Sequence, residues 1–457
     1  MSLHKTRQGL SLPISGRPSR DLERPRSTRH VAVLAADYLG LRPAMRVTVG
    51  DDVRRGQVIF EDKKLPGVRH TAPAAGTVRA VHRGERRVLQ SVVIELSRAE
   101  MSGRTPAEAT FQSFTGRHPT GLTRDEVVEL LTESGLWTSL RARPFGRVAA
   151  PEMRPHSLFV TAVDSDPLAP ALDVAMEGKA ASFERGLAAL TRLTDGPVFV
   201  CTERSSPVSV PDLERVRHEQ FSGPHPSGTT GFHIHRLDPV DRRKTVWHIG
   251  VQDVVAVGRL FKTGTLDVSR VVALGGPPVQ RPRLLETRVG ASIDELLAGE
   301  LDDVETRQIS GSVLSGRAAT GDVGGYLGRY HQQISVLEEG REREFFGWLG
   351  PGFNKFSTIS TFVSRLLPGR PLRFTTTSHG SRRAIVPIGM FEKVLPFDLL
   401  PTPLLRSLLM CDVERAEELG CLELDEEDLA VCTFVCAGKN DYGPLLRDVL
   451  DMIEREG

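Results

Sequence analysis

The sequence has no long apolar runs, no excess of charge of one sign and little cysteine. Its most apolar stretch, Leu395–Met410, is broken by prolines and charged residues, so it falls short of the roughly 20 apolar residues of a membrane-spanning helix. The 59 basic and 58 acidic side chains nearly cancel, so no field attracts nucleic acid or an acidic membrane surface. The 5 cysteines are odd in number and too few for a disulfide framework, which favours a reducing compartment.

The N-terminus also lacks the apolar core and the small-residue cleavage site of a signal peptide. Together with the broken apolar stretch, this predicts a cytoplasmic protein. At about 150 residues per domain, the chain is expected to contain roughly three domains, with two or four as alternatives.

Short catalytic motifs are missing as well. The sequence contains no Gly-x-Gly-x-x-Gly after a strand, no phosphate-binding P-loop, no serine elbow and no zinc-protease motif. Gly275 and Gly276 follow an apolar run, but two prolines come next, and proline has no backbone N–H to offer a phosphate. The residues therefore support neither a nucleotide site nor a stand-alone enzyme.

The N-terminal part is rich in short strand-forming runs. Through about Leu96, runs such as Gly56–Phe60 alternate with turns of Gly, Asp and Pro, which is typical of a small β barrel or sandwich. Val47–Lys64 followed by Thr71–Val78 resembles the hammerhead of lipoyl and biotinyl carrier domains, where a hairpin presents a modified lysine. Lys63 or Lys64 would be that lysine. We favour retained architecture alone, because the following Leu-Pro-Gly alters the hairpin tip.

The pattern of apolar residues changes after a charged linker that ends near Leu122. The strand candidates Leu158–Val163 and Val198–Cys201 flank a helix candidate, Ala171–Leu193, and this alternation predicts a parallel α/β sheet. A small β-grasp-like unit and a mainly helical end follow. We predict a multidomain α+β chain with a β barrel-sandwich over residues 1–105, an α/β (Rossmann-like) domain over 106–260, a β-grasp domain over 261–340 and a helical domain over 341–457.

Histidines cluster in the segment Gly223–His235. If His233 and His235 alternate on a strand, both imidazoles face the same side, where they could share a metal. No nearby cysteine or carboxylate completes a ligand set, so we favour hydrogen-bonded histidines beside a turn. The Gly-Pro-His-Pro turn around His225 is our hypothesis for one wall of a cleft that binds a small aromatic ligand.

Three cysteines near the C-terminus raise the question of an iron–sulfur cluster. Such clusters commonly use the spacing Cys-x2-Cys-x2-Cys-x3-Cys. This chain offers only Cys432-x3-Cys436, with Cys421 well upstream. We therefore interpret the three thiols as small apolar side chains of a helical core.

Several longer stretches together resemble one family, in the same order and over essentially the whole chain. They are Gly9–Pro18, Asp37–Val78, His82–Ile94, Ser134–Phe145, Gly223–His235, Lys244–Phe261, Tyr326–Trp348 and Gly420–Pro444. The chain resembles the NqrA family, whose members are subunits of the Na+-translocating NADH:quinone oxidoreductases. More distantly, it resembles the flavin-binding subunit of complex I and a subunit of the Rnf complex.

The resemblance implies a peripheral subunit on the cytoplasmic side of the bacterial inner membrane. The six-subunit complex passes electrons from NADH to ubiquinone and exports Na+. Its FAD, FMN and iron–sulfur centres belong to the implied partners, the membrane and peripheral subunits NqrB to NqrF. A member of this family is associated with the quinone-reducing end, binds no cofactor or metal of its own and is not catalytic alone. Residues Val271–Leu297 would form a β-grasp of the SLBB type.

In this setting, four residues are candidates for a quinone cleft and four for docking on membrane subunits. The cleft candidates are His225, His233, His235 and Trp137, and the docking candidates are Leu404, Leu405, Leu408 and Leu409. An ordinary core helix is the alternative for the leucines. Two other functions remain open: an electron carrier with a C-terminal iron–sulfur cluster, and a biotinyl or lipoyl carrier.

Overall fold

A computed structural model describes residues 2–24, 28–103, 107–341, 351–358, 362–366 and 369–456. The predicted boundary between residues 105 and 106 lies outside the described residues. Within these ranges, no helix combines the length and the apolar character needed to cross a bilayer.

The strands, in chain order, are β1 (Ser2–Lys5), β2 (Leu22–Glu23), β3 (His30–Leu34), β4 (Pro43–Met45), β5 (Asp52–Val53), β6 (Val58–Asp62), β7 (Arg69–Thr71), β8 (Gly76–Arg83), β9 (Leu89–Leu96), β10 (Arg141–Arg143), β11 (Arg147–Val148), β12 (Leu158–Ala162), β13 (Val198–Glu203), β14 (Val216–Ser222), β15 (Val246–Gly250), β16 (Ser269–Gly275), β17 (Arg283–Arg288), β18 (Thr306–Ser310), β19 (Arg317–Ala318) and β20 (Gln333–Glu338).

The α-helices are α1 (Arg98–Ser102), α2 (Arg124–Ser134), α3 (Leu172–Met176), α4 (Ala180–Leu190), α5 (Thr230–Leu237), α6 (Val251–Thr263), α7 (Ile293–Leu296), α8 (Gly321–Gly324), α9 (Met390–Val394), α10 (Pro401–Met410), α11 (Val413–Glu418), α12 (Glu426–Val435) and α13 (Tyr442–Glu456).

The N-terminal part is a sandwich of two small antiparallel sheets, β3-β9-β8-β5 and β4-β6-β7. Side chains such as Ile59, Phe60 and Ile94 are completely buried, so burial of apolar surface holds the sandwich together. Lys63 and Lys64 are exposed in the hairpin between β6 and β7. The first residues lie outside the sandwich, because β1 pairs with β14 and β2 pairs with β17.

The central sheet has the order β1-β14-β13-β12-β15-β10-β11 and is parallel from β1 to β15. The chain moves outward from β12 to β13 and β14, then returns to β15 on the other side of β12. The strand order therefore reverses between β12 and β15, and open α/β sheets bind ligands at such a crevice, beyond the carboxyl ends of the strands.

Helices α4 and α6 of this domain pack closely against each other at two glycine residues. A Cβ atom on Gly258 of α6 would lie 1.7 Å from the Ser182 carbonyl oxygen, and one on Gly186 would lie 2.0 Å from that of Val254. Only glycine permits α4 and α6 to approach so closely. The single helix predicted over Ala171–Leu193 is wrong, because α3 and α4 are separated at Gly178, whose φ is +70°.

The β-grasp-like domain is a sheet in the order β19-β18-β20-β16-β17-β2, with α7 packed on it. The Ser292 hydroxyl caps α7 by accepting the Glu295 N–H, the bond that a serine at the N-cap makes to the residue three positions later. The predicted helix at the C-terminus is also present as α13, which buries Leu446, Val449 and Leu450.

The C-terminal helices share a core with one face of the central sheet. Phe159 and Phe221 of the sheet belong to the same buried cluster as Leu404 and Leu446. The opposite face of the sheet buries Val160 and Trp247 in the core that continues into the N-terminal sandwich. The central sheet is therefore covered on both faces, as parallel sheets generally are.

The docking candidates lie on α10. Leu404, Leu405 and Leu408 are each 0% exposed in the chain's own core, while Leu409 is partly exposed. Of the four leucines, only Leu409 is open to a partner without a rearrangement of the helices.

Candidate functional site

The loop that follows β12 brings two carboxylates to the crevice. Asp164 and Asp166 come directly after the strand, and the Asp166 N–H donates to Asp164 Oδ1 at 2.9 Å. Between them, Ser165 Oγ accepts the Gly228 N–H at 2.8 Å and lies 3.1 Å from His225 Nδ1. The serine thus joins the loop after β12 to the turn that precedes α5.

That turn places His225 against the acidic loop. The imidazole is buried, and its Nε2 lies 3.7 Å from Asp166 Oδ1. Neither of these two atoms has a hydrogen-bond partner within the described part of the chain. Buried polar atoms rarely stay unpaired, so a further hydrogen-bonding group is expected beside this pair.

The third side of the site is the first turn of α12, which carries Asp425, Glu427 and Asp428. All three carboxylates surround the fully buried Arg143 at the end of β10, with N–O distances of 3.4, 3.5 and 3.2 Å. Asp428 Oδ1 also accepts the Thr229 hydroxyl at 3.1 Å. A Cβ atom on Gly231 would lie 2.2 Å from Asp428 Oδ2, so glycine leaves space for this carboxylate.

The ionisable side chains of this site have pKa values that differ from their ordinary ones. Burial, together with the nearby Asp166, raises the pKa of Asp164 to about 7. Burial raises the pKa of Asp166 to about 6, and burial and Asp428 raise the pKa of Glu427. Burial lowers the pKa of His225 to about 4. The site therefore contains carboxyls with raised pKa values and an imidazole with a lowered pKa, and such groups can hydrogen-bond or exchange protons with a small polar group.

The other three cleft candidates do not join this site. His233 is fully buried against the Phe221 ring, at 4.1 Å between ring centroids, with Nε2 3.2 Å from the Ser227 oxygen. Trp137 donates from Nε1 to the Ala149 oxygen at 2.7 Å and packs edge-on to Trp247 on the opposite face of the sheet.

His235 instead connects α5 to the C-terminal helices. Its Nδ1 lies 2.6 Å from Glu423 Oε2, and its Nε2 accepts the Asp398 N–H at 2.8 Å. The strand predicted through His233 and His235 is wrong. Thr229 accepts the Phe232 N–H and caps the helix α5, so the two rings, two residues apart, point in different directions.

The cysteines lie inside the C-terminal core. Cys421, Cys432 and Cys436 are buried, and burial raises the pKa of the Cys421 thiol to about 12 and that of Cys432 further still. Cys436 Sγ contacts the Tyr442 hydroxyl at 3.2 Å. Across the described ranges, no group of three or more His, Cys, Asp or Glu side chains has the geometry of a metal site.

Three known families of domains match successive parts of the chain. They are described as the NqrA N-terminal barrel-sandwich hybrid domain (residues 4–97), the NqrA second alpha/beta domain (122–266) and the NQRA C-terminal domain (271–321). The chain is 52% identical over 453 residues to the corresponding Na(+)-translocating NADH-quinone reductase subunit of Hahella chejuensis, covering 99% of this chain and 100% of the relative.

This chain belongs to the NqrA family of Na+-translocating NADH-quinone reductase subunits. The family member from Pasteurella multocida is similar to the same degree, with 51% identity over 451 residues and 99% of both chains covered. Among solved structures, an air-oxidized NAD+-reducing [NiFe]-hydrogenase matches 48% of each chain at 16% identity and a TM-score of 0.34, which is too low to support any conclusion about this chain.

Family membership confirms the predicted resemblance and the predicted fold class. The barrel-sandwich, the α/β domain and the SLBB-type domain are present in the predicted order. The exact domain boundaries stay predictions. The relatives are named as subunits, which implies that they assemble with partner chains.

The sequence reasoning found His225 but missed its neighbours. Asp164 and Asp166 carried a usable signal, because two carboxylates follow a buried strand directly and the carboxyl edge of a parallel sheet is a common ligand site. Arg143 and Glu427 carried no comparable signal, since they are 284 residues apart in the chain.

The variant Asp164→Asn is expected to change the pH dependence of stability. The pKa of Asp164 is raised from 3.8 to about 7, so the folded chain holds this proton more tightly than the unfolded chain. The resulting stabilisation is full below the unfolded pKa and is lost as the pH rises through about 7. The wild-type advantage over the variant should therefore decrease between about pH 4 and 7, by on the order of a few kcal/mol.

Urea unfolding across this pH range measures the effect. Asp303→Asn is the matched control, because Asp303 is exposed and has no ion pair within the described ranges. Parallel pH profiles for the wild type and Asp164→Asn would show that the pKa of Asp164 is the same in the folded and unfolded chains, and would contradict the raised pKa.

Proposed function

We propose that this chain is a peripheral, cytoplasmic-side subunit of the Na+-translocating NADH:ubiquinone reductase that acts at the ubiquinone end of the complex. The observation that carries the proposal is full-length similarity to NqrA proteins, which are named as subunits of that reductase, at 52% identity to the Hahella chejuensis protein. Electrons would enter and leave through cofactors of the partner subunits, while this chain supports assembly and the quinone site.

The crevice supports the quinone part of this proposal. A quinone ring has two carbonyl oxygens that accept hydrogen bonds and take up protons on reduction. Asp166 and Glu427 are carboxyls with raised pKa values, and the Nε2 of His225 beside them has no hydrogen-bond partner among the described residues. Such groups suit a polar head group that exchanges protons. In this proposal His225 is the residue of the original cleft set nearest to the quinone.

The C-terminal core supports the proposal that the chain has no iron–sulfur cluster of its own. Cluster ligands are closely spaced thiolates, and the buried Cys421, Cys432 and Cys436 form no group with the geometry of a metal site in the described ranges. The Cys436 thiol is already engaged with Tyr442. Two experiments test the carrier alternatives. An absorbance band near 400 nm in the isolated chain would indicate a cluster or flavin, as expected for an electron carrier. An intact mass above the sequence mass would indicate a modified Lys63 or Lys64, as expected for a biotinyl or lipoyl carrier.

Purification of the tagged chain from native membranes in mild detergent tests the proposal as a whole. We expect co-purification of flavin-containing membrane proteins and Na+-stimulated NADH:ubiquinone activity. In the purified complex, His225→Gln should raise the KM for ubiquinone without changing NADH oxidation by an artificial electron acceptor. The exposed His118 provides the control variant His118→Gln. An unchanged KM for ubiquinone in His225→Gln would show that the quinone does not bind in this crevice. Purification of the chain without other subunits would contradict the subunit role.

A further inference from the structure

One part of the C-terminal domain has an unusual charge composition. Residues 345–391 contain no Asp or Glu, although 58 of the 457 residues of the chain are acidic. The same run contains six basic residues, of which five are Arg and one is Lys. Four of the exposed large apolar side chains of the described ranges also belong to it: Phe353, Leu366, Val386 and Ile388.

The described end of this run is an extended segment, residues 378–388, that leads into α9. Its backbone is fixed to the chain, because the Arg383 N–H donates to the Gly438 oxygen at 2.7 Å and Asn440 Nδ2 donates to the Arg383 oxygen at 3.2 Å. Ile385 is half-buried in the C-terminal core. One side of the segment is thus anchored, and the other side faces solvent.

The solvent side combines charge with apolar surface. Val386 is 51% exposed and Ile388 is 48% exposed. Arg382 and Arg383 are exposed, and neither has a carboxylate within 4.0 Å in the described part of the chain. Arg373 of the same run, by contrast, is ion-paired with Asp302 and Glu338 at 3.6 Å each. We call these four side chains, Arg382, Arg383, Val386 and Ile388, the basic strip.

We propose that the basic strip docks an acidic segment of a neighbouring subunit in the same complex. This proposal rests on the proposed function, which supplies the neighbour. Within the described part of the chain no carboxylate pairs with Arg382 or Arg383, so the charge of these two arginines is uncompensated there, and a partner with Asp or Glu side chains compensates it. Val386 and Ile388 would bury their apolar surface in the same contact.

The small number of basic residues favours a protein partner over a lipid surface, because the strip has two arginines and anionic lipid is typically bound by clusters of about 4–8 basic residues. Arginine is enriched at protein interfaces, where its planar group binds carboxylates with two hydrogen bonds, whereas lysine is depleted there. An anionic membrane attracts both residues through charge alone. The backbone hydrogen bonds of the strip also present its side chains in fixed positions, so little entropy is lost when a partner chain binds.

The test is the double variant Arg382→Glu/Arg383→Glu in the tagged chain, purified with its complex from native membranes. We expect the amount of partner subunits retained to fall about tenfold or more at low salt, and the difference from the wild type to shrink as the salt concentration rises, because salt screens exposed charges. The control is Arg86→Glu/Arg87→Glu, which reverses two adjacent exposed arginines of the N-terminal sandwich and should leave retention unchanged. Equal unfolding midpoints of the isolated variants exclude misfolding as the cause.

A second measurement identifies the partner directly. A photo-crosslinking amino acid at position 386 of the assembled complex should link to a peptide of another subunit that contains several Asp or Glu residues. A crosslink to a basic or uncharged peptide would overturn the proposal, and so would normal retention of the charge-reversed variant. Binding of the wild-type chain, but not the variant, to vesicles with anionic lipid and without other subunits would assign the strip to the membrane instead. If even the wild-type chain does not co-purify with partners, the proposed function itself fails, and the partner inferred from the basic strip fails with it.

Discussion

Replacing Arg143 with methionine is expected to reduce the free energy of unfolding by about 3–5 kcal/mol. The guanidinium group is fully buried and lies within 3.5 Å of carboxylates of Asp425, Glu427 and Asp428. Without it, three carboxylates of α12 would face one another in a site that excludes most water. Removal of one partner from a buried ion network destabilises far more than the network itself contributes.

Urea unfolding monitored by tryptophan fluorescence measures this effect. Arg406→Met is the matched control, because Arg406 is exposed on α10 of the same C-terminal domain and has no ion pair in the described ranges. We expect a change within about 0.5 kcal/mol for that variant. The loss in Arg143→Met should be smaller at low pH, where Glu427 and Asp428 are protonated, since burial raises the pKa of both carboxyls. Equal stability of the two variants would mean that the α12 carboxylates do not depend on Arg143.

The second large effect is expected for Trp137→Ala, at about 3–5 kcal/mol of lost stability. Trp137 is 0% exposed, packs edge-on against Trp247 and donates a hydrogen bond to the Ala149 oxygen at 2.7 Å. Truncation to alanine would leave a large cavity and an unpaired carbonyl. The variant Trp137→Phe keeps most of the apolar contact and loses only the hydrogen bond, so we expect about 1–2 kcal/mol.

The variants Trp137→Ala and Trp137→Phe also distinguish a role of Trp137 in the core from a role in quinone binding. Denaturation experiments on the isolated chain measure stability, and ubiquinone kinetics of the assembled complex measure function. A core side chain predicts that Trp137→Phe leaves the KM for ubiquinone unchanged. A raised KM at nearly unchanged stability would instead place Trp137 in contact with the quinone and contradict its assignment to the core alone.

Local patterns were predictable because local interactions decide them. The strand at Leu158–Ala162 and the helix at Tyr442–Glu456 follow from runs of apolar residues with the matching period. The capping box before α2 forms between Thr123 and Glu126, only three residues apart. The short segment around His233 misled the prediction, because a few alternating residues fit a strand or a helix equally well until the Thr229 cap is considered.

The site was only partly predictable. The sequence singled out His225 through its unusual turn, but its acidic neighbours come from the loop after β12 and from α12, far away in the chain. The other candidates were selected as polar or aromatic residues in stretches that resemble the family. The packing of the folded chain places these candidates away from His225. His233 and Trp137 pack in cores on opposite faces of the sheet, and His235 holds α5 against the C-terminal helices.

The sequence alone determined the family, the order of the domain types and the elements whose apolar period is long and regular, since these depend on neighbouring residues. Only the tertiary structure decided which charges meet. Arg143 and Asp428 are 285 residues apart, and Asp166 meets His225 only because parallel strands end at one edge of the sheet. Their pKa values and their burial follow from that packing, because a charge responds to what surrounds it in space and not to what precedes it in the chain.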